Sequence, residues 1–565
     1  MSSGSHFILL EGVNVLDHMY DTDQLSVIRG TSALFKSAIT DTEKEFSDSD
    51  NRPEGILSAV STGASSGLFL LTEGRPEKML AAISTYLSQH QYYRHLTFQL
   101  QSCEASSLKQ AQQRLWGQLR IAQLQDFTLM PDWEGTEPDD ALGEGVCELE
   151  GRRIASQGRS SKVQGDREKS LSASVYSRLI YGRDQREAFY ERELSNQPEV
   201  WSSLMSALHA QPASCFASDF NELCTDTEQK YPQSLQNKMA VIYLDGNHFG
   251  KRQGEFVDEF IKNNSAADDL ALEIKAQQAF DSAIKKLRAR FLAGEIKRHL
   301  EAQANGGVIP LETLMWGGDE MLLVMPAWEG FDFLQRFFAF DWNLSTYLDS
   351  SDKELPALTH AAGIVFCQAN KPIRIIQKLA HDLAERVKDS DGGRENDAWD
   401  YLVLESVDYP TDDDMSEYFN TRYTTAIADG REKKLPAIRD WETTVREKLL
   451  EAKRKGYLTT SQLYLLADTI LKDSEATDAP EVTVSAKWSE ITSDKEDIAQ
   501  NASPQIKAER RMYQVSENKA WLKNSLPALA KSLFDYDFDD AKKRVWFWFH
   551  LIELWDYQVI MEEEK

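Results

Sequence analysis

"LETLMWGGDEMLLVMP", Leu311 to Pro326, places two glycines and two carboxylates between apolar runs that each read as a buried strand. A hairpin turn accounts for the glycines, because Gly reaches φ > 0 at little cost. It leaves the acids unexplained. Asp319 and Glu320, side by side among Leu, Met and Val, repel each other and lose solvation unless they face water or a cation lies between them.

Working outward, "MAVIYLD" (Met239 to Asp245) is an apolar, β-rich run, and a long helical stretch from about Gly254 to Ala302 separates it from the hairpin. After the hairpin come a helix around "FDFLQRFFAF", a strand "THAAGIVFC", a helix "PIRIIQKLAHDLAERVK" with Pro372 near its first turn, and a strand "DYLVLES". The order is βαββαβ plus one added strand. It predicts an α+β unit in the ferredoxin-like arrangement, an antiparallel sheet with helices on one face.

The same order recurs near the N-terminus. "HFILLEG" reads as a strand, "DQLSVIRGTSALFKSAI" as a helix, "ILSAVSTGASSGLFLL" as a hairpin, "RPEKMLAAISTYLSQ" as a helix and "HLTFQLQS" as a strand. Glu11-Gly12 then aligns with Asp245-Gly246, and "GASS" (Gly63 to Ser66) with "GGDE" (Gly317 to Glu320). The chain reads as a diverged internal duplication. Its first copy has lost both hairpin carboxylates, so the second copy is the candidate for metal chemistry.

With 565 residues, 41% hydrophobic and 27% charged, the chain is long enough for several cores. No run of about 18 apolar residues and no basic-then-apolar leader is found, which predicts a cytoplasmic protein without membrane spans. Cys103, Cys147, Cys215, Cys224 and Cys367 lie scattered without a CxxC pair and read as plain thiols. The net charge of −28 argues against a nucleic-acid-coating surface and leaves anionic ligands to a metal or a local cationic pocket.

In this order of elements Asp245, at the end of its strand, sits beside the turn that carries Asp319. Carboxylates converging there, next to a Gly-lined turn and the start of the helix after Asn247, suit Mg²⁺ or Mn²⁺ with a nucleoside triphosphate. The Gly246 carbonyl could add a ligand.

"YLDGNHFG" and "WGGDE" resemble the two metal motifs of the palm shared by GGDEF nucleotide cyclases and the large polymerase-like subunit of type III CRISPR effector complexes. The second is the closer match, since that subunit also carries tandem palms of which one keeps a full Gly-Gly-acid-acid turn. The resemblance implies Asp245, Gly246, Asp319 and Glu320 as metal ligands, with Asp245, Asp319 and Glu320 catalytic. It implies Gly246, Asn247, Phe249, Gly317, Gly318 and Lys388 as nucleotide contacts, with Lys388 on the triphosphate. Asn247 stands where cyclases often carry a second aspartate. The guanine-holding string of diguanylate cyclases and an RxxD before the motif are both absent, so diguanylate cyclase is a minor alternative. His381-Asp382 reads as helix surface, and the basic run Lys285 to Arg298 as the solvated face of a long helix.

The expected organisation is a degenerate palm over 1–130, an irregular insert over 131–235 with a mobile loop in "SQGRSSKVQGDREKSLSAS", a catalytic palm over 236–410 and a helical bundle over 434–565. The Trp-rich final helix reads as core. The expected function is metal-dependent nucleotidyl transfer that joins or cyclises nucleoside triphosphates, ATP favoured by resemblance alone, into a signal sensed by a downstream effector in antiviral defence. The alternative is a non-catalytic palm scaffold that binds nucleotide or RNA with partner proteins of an effector complex.

Overall fold

The computed structural model describes residues 5–47, 55–125, 142–163, 167–195, 201–203, 205–206, 215–227, 229–264, 268–302, 308–348, 354–390, 392–405, 443–475, 486–493, 502–534 and 537–557. The start of the insert, the boundary between 410 and 434, and much of the acidic stretch at 473–505 lie outside these residues.

The chain is α+β. It opens with β1 (Ser5–Gly12), α1 (Val15–Met19), α2 (Leu25–Phe46), β2 (Gly55–Thr62), β3 (Ser66–Gly74), α3 (Pro76–Gln89), β4 (Phe98–Ala105) and α4 (Leu108–Gln125). The strands form a sheet in the order β2-β3-β1-β4. Alternation along β1 supplies both faces: Ile8 and Leu10 pack with α2 and α3, whereas Phe7 and Leu9 pack with α4.

Two short hairpins follow, made by β5 (Leu142–Val146) with β6 (Ile154–Ser156) and by β7 (Ser160–Lys162) with β8 (Glu168–Ser170), then α5 (Ala173–Leu194). The insert is thus not irregular where it is described. The stretch expected to be a mobile loop holds two three-residue strands that pair with each other, Ser160–Lys162 and Glu168–Ser170, and Ser172 caps α5 by accepting from the Val175 amide. Val175, Leu179, Tyr190 and Leu194 are buried along α5, which packs lengthwise on α2. Two-residue alternation in such short strands is too brief to be read from sequence.

The second unit runs β9 (Lys238–Gly246), α6 (Phe249–Asn263), α7 (Asp269–Ala302), β10 (Glu312–Trp316), β11 (Glu320–Pro326), α8 (Gly330–Ala339), β12 (His360–Gln368), α9 (Ile373–Lys388) and β13 (Ala398–Val403). Its sheet has the order β10-β11-β9-β12-β13, with only β12-β13 parallel. Both faces of β9 are covered: Met239, Val241 and Tyr243 join one core, and Ala240, Ile242 and Leu244 another. That accounts for its unbroken apolar run.

The two units match in detail. Glu11 stands opposite Ser66 and Asp245 opposite Glu320. Gly63 N–H donates to the Ser66 carbonyl at 2.7 Å, and Gly317 N–H to that of Glu320 at 2.8 Å. Each hairpin breaks register at the same offset before its glycine, skipping Val60 and Leu314. Asn14 and His248, each three residues past the strand-end acid, adopt positive φ of 55° and 51° and start the next helix. Left-handed backbone is uncommon outside glycine, so its recurrence at the same place is a strong mark of one repeated unit.

Helix α7 joins the units. Gln278 Nε2 donates to the Ala59 carbonyl at 2.7 Å, and Lys285 Nζ to Thr62 Oγ1 at 2.6 Å. Lys285, Lys286, Arg290 and Lys297 of the basic run on α7 are exposed, as a solvated face requires, and Arg288 is the cation of that run that is buried. A buried ion pair, Arg29 with Glu312 at 2.6 Å, ties α2 to β10. The C-terminal helices α10 (Thr443–Arg454), α11 (Thr460–Glu475), α12 (Pro504–Val515), α13 (Lys519–Phe534) and α14 (Ala541–Trp555) share one core with the second sheet. On α14, Phe547, Trp548 and Trp555 are buried. No described helix is long and apolar enough to cross a membrane, and the five cysteines are free thiols.

Candidate functional site

Strand β9 ends on Asp245 and Gly246, and its antiparallel partner β11 begins on Glu320, so ladder geometry sets Asp245 and Glu320 side by side. Gly246 N–H donates to the Asp319 carbonyl at 3.1 Å, which fixes the turn against the strand end. Lys388, the last residue of α9, forms an ion pair with Asp245 Oδ2, the two side chains being 9% and 10% exposed. Glu385 lies 3.5 Å from the same ammonium. Asp245, Asp319, Glu320 and Lys388, far apart in sequence, thus meet at one sheet end.

The glycines serve a different purpose from the one expected. Neither Gly317 nor Gly318 has positive φ; what they supply is room. A β-carbon on Gly246 would stand 3.0 Å from Asp319 Cβ, and one on Gly317 would stand 3.1 Å from the Glu320 carbonyl oxygen. The same methyl on Gly317 would lie 3.8 Å from Ala64 Cβ. The "GASS" and "GGDE" turns therefore face each other across the seam between the units.

The acids are electrostatically crowded. Burial, then the negative charge of Asp245, raises the Asp319 carboxyl above its ordinary value. Glu320, exposed as a residue, is raised by desolvation of its carboxyl and then by Asp245 and Asp319. Such mutual elevation is the signature of carboxylates that lack enough positive charge between them. Tyr243, one period-two step before Asp245 and on the same face, hydrogen-bonds Glu320 and is itself pushed up by burial and that charge. His381, whose side chain stays 41% exposed on the helix surface, packs edge-on to Tyr243 at 5.0 Å.

The Asn247 side chain is taken up within the protein, and the half-buried Phe249 ring lies against the site's glycines. The Asn247 side chain is buried and donates to the Asn396 carbonyl at 2.9 Å, the Gly393 carbonyl at 3.2 Å and Thr359 Oγ1 at 3.3 Å, so it clamps the loops around β12 and β13. The Phe249 ring packs edge-on against Phe280 at 5.5 Å; β-carbons built on Gly246 and Gly318 would lie 3.4 and 3.8 Å from it. It supports the turn from beneath. His360, opposite Gly246 in β12, is buried and held down to about 3 by desolvation and then Lys388. Tyr243 was discoverable from β9 periodicity; His360 and Arg288, a buried cation whose charge reaches Asp319, carried no sequence signal.

The donor set suits a hard divalent cation: carboxylate oxygens whose proton affinity is raised by one another. The fit is one of donor chemistry, because Lys388 takes up Asp245 and, among the described residues, no three acidic, His or Cys side chains are already gathered closely enough to ligate one ion. In the first unit, Glu11 and Ser65 occupy the equivalent places and border a cleft of about 690 Å³ that also holds Arg120, Arg374 and Lys378. The Glu11 carboxyl is raised by burial, and its Oε2 has no partner among the described residues.

No family model and no curated protein matches this sequence. Among solved structures, the chain is similar to one in a Csm1-Csm4 cassette in complex with cA4, at 14% identity and a TM-score of 0.36, covering 80% of this chain and 62% of that one. A Csm1-Csm4 cassette in complex with AMPPNP is similar at 14% identity and a TM-score of 0.40 over 90% of this chain and 69% of that one. A type III-B Cmr-beta complex in its apo state gives 10% identity and a TM-score of 0.42 over 84% of this chain and 76% of that one. The chain thus spans less than two thirds of the length of the first of these.

Proposed function

We propose that the protein is a metal-dependent nucleotidyltransferase with two ferredoxin-like palms in tandem, 1–130 as a degenerate palm and 236–410 as the catalytic one. One observation carries this reading. Asp245, Asp319, Glu320 and Lys388 converge at one sheet end whose glycine turn is met by its own duplicate. Three acids and one cation in a partly dry site leave net negative charge, which a divalent ion relieves.

Asp245, Asp319 and Glu320, with the Gly246 carbonyl, would hold Mg²⁺ or Mn²⁺, which when bound polarises the phosphoryl group and makes a ribose hydroxyl a better nucleophile. Lys388, released from Asp245, moves its charge onto the triphosphate and steadies the departing pyrophosphate. Gly317 and Gly318 leave the turn bare, so phosphate oxygens can approach the main chain. The opposed turn at Gly63 to Ser66, which has no carboxylates, positions the acceptor nucleotide in line with the donor. The product is a linked or cyclic nucleotide acting as a signal, with ATP the favoured substrate and antiviral defence the favoured setting.

A second reading has its own observation. The Lys388–Asp245 pair and the lack of a preassembled ligand set among the described residues suit a palm that binds nucleotide or RNA inside an effector complex without turning it over. Incubation with each labelled nucleoside triphosphate and Mg²⁺ or Mn²⁺, followed by product mass, separates the two. A linked product that Asp319→Ala abolishes supports the enzyme; bound but unchanged triphosphate supports the scaffold.

A further inference from the structure

Behind the facing turns, on the side of α2 and α5, the seam holds a narrow cleft lined by Arg29, Lys36, Arg186, Arg192, Ala64 and Trp316. In a chain of net charge −28, cations are concentrated here. The two acids close by are already engaged. Glu312 is bound by Arg29 Nε at 2.9 Å and Nη2 at 2.6 Å, and Glu193 pairs with Lys36.

Donors remain. Arg29 is 5% exposed and its Nη1 has no hydrogen-bond partner among the described residues. The same holds for Arg192 Nε and Nη2, for Trp316 Nε1, and for Nε and Nη1 of Arg288, whose guanidinium lies 5.8 Å from the Trp316 ring centre. Gln185 Oε1 and the Thr313 hydroxyl are the acceptors left over at this cleft among the described residues. Buried N–H groups without partners are costly, more so when charged. A set dominated by cationic donors calls for an acceptor that is itself negative.

We propose that this cleft is an oxyanion site that takes a terminal phosphate group. Size narrows the choice. The space open to a water's centre is about 20 Å³, above the ~10–15 Å³ that a single water needs and too small for a nucleobase. One water accepts two hydrogen bonds and carries no charge, so it leaves most of these nitrogens unmatched. A phosphate accepts from several at once and offsets the excess positive charge. Burial pulls the Lys36 ammonium down to about 8, with Arg288 and Arg192 adding to the shift, which fits a pocket short of negative charge. A bound phosphate would draw α2, α5 and α7 together directly behind the Ala64–Gly317 contact.

The site needs no metal and shares no ligand with the acids, so it is tested apart from them. Calorimetry on the full chain with chelator present uses three probes: inorganic phosphate, pyrophosphate and a nucleoside 5′-triphosphate. We expect binding of at least one, weakened tenfold or more by Arg192→Gln and several-fold by Trp316→Phe, which keeps the ring and removes one donor. Preference among the probes shows whether free phosphate, released pyrophosphate or a nucleotide tail is the occupant. No heat with any probe, or binding indifferent to Arg192→Gln and Trp316→Phe, overturns the proposal, whatever becomes of nucleotidyl transfer.

Discussion

Removing the Lys388 ammonium should make the protein less stable and more dependent on divalent metal. In the metal-free fold Lys388 compensates Asp245, both side chains being about nine-tenths buried. Breaking a buried pair by deleting one partner costs about 3–5 kcal/mol. Asp245 lies at a strand end near an open turn, so the lower figure, about 3 kcal/mol, applies. At roughly 2–4 °C per kcal/mol for a unit of this size, Lys388→Ala should melt about 6–12 °C below wild type in chelator. A divalent ion supplies the missing charge and meets no lysine in competition, so Mn²⁺ should raise the variant's melting temperature more than the wild type's and close most of the gap. Thermal melts of both proteins with chelator and with Mn²⁺ give the four numbers required. Equal melting in chelator, or equal stabilisation by Mn²⁺, refutes the idea that one carboxylate serves lysine and metal in turn.

Three further outcomes are expected. Asn247→Ala removes an amide whose two N–H groups are shared among three acceptors and should cost about 2–4 kcal/mol of stability, while Mn²⁺ affinity of the folded fraction, measured by calorimetry, stays near wild type. Asp319→Asn should abolish turnover yet stabilise the metal-free protein. The Asp319 carboxyl is raised in the fold, so the stability it gains from taking up a proton is present below the ordinary carboxylate range and lost as pH rises through its raised value. The melting-temperature advantage of the variant should therefore be absent at low pH and grow with rising pH; a pH-independent difference contradicts this. Ala64→Glu, which sets a charge against Gly317 across the seam, should block product formation with the circular-dichroism spectrum unchanged, and wild-type turnover would contradict a role for the facing turn.

What could be read from the sequence follows from periodicity. Apolar runs such as Met239 to Leu244, helices with a clear apolar period, and two glycine turns at matching distances from a strand-end acid were all legible, and with them the α+β class and the internal repeat. The insert was misjudged because β6 to β8 are three residues each, too short for a pattern to register. The basic stretch of α7 does face solvent at Lys285, Lys286, Arg290 and Lys297, and nothing in the sequence set Arg288, buried beside Trp316, apart from them. At the site, acids and Lys388 were visible as motif residues, but the lysine's attachment to Asp245 depends on the length of α9 and the packing of its last turn. Asn247 was assigned to ligand because motif position says nothing of the Gly393 and Asn396 carbonyls, far along the chain, that accept from its amide. His360 came from a strand with no distinguishing chemistry.

The central claim is that this sheet end transfers nucleotidyl groups, and the most direct measurement is the release of pyrophosphate by the purified full chain given one nucleoside triphosphate at a time with Mg²⁺ or Mn²⁺, with the nucleotide product identified by mass. The account predicts pyrophosphate and a linked or cyclic nucleotide in matched amounts, both lost in Asp245→Ala and Asp319→Ala proteins that remain folded. Triphosphate that binds and returns unaltered under every metal and base, or turnover that survives both substitutions, would contradict it.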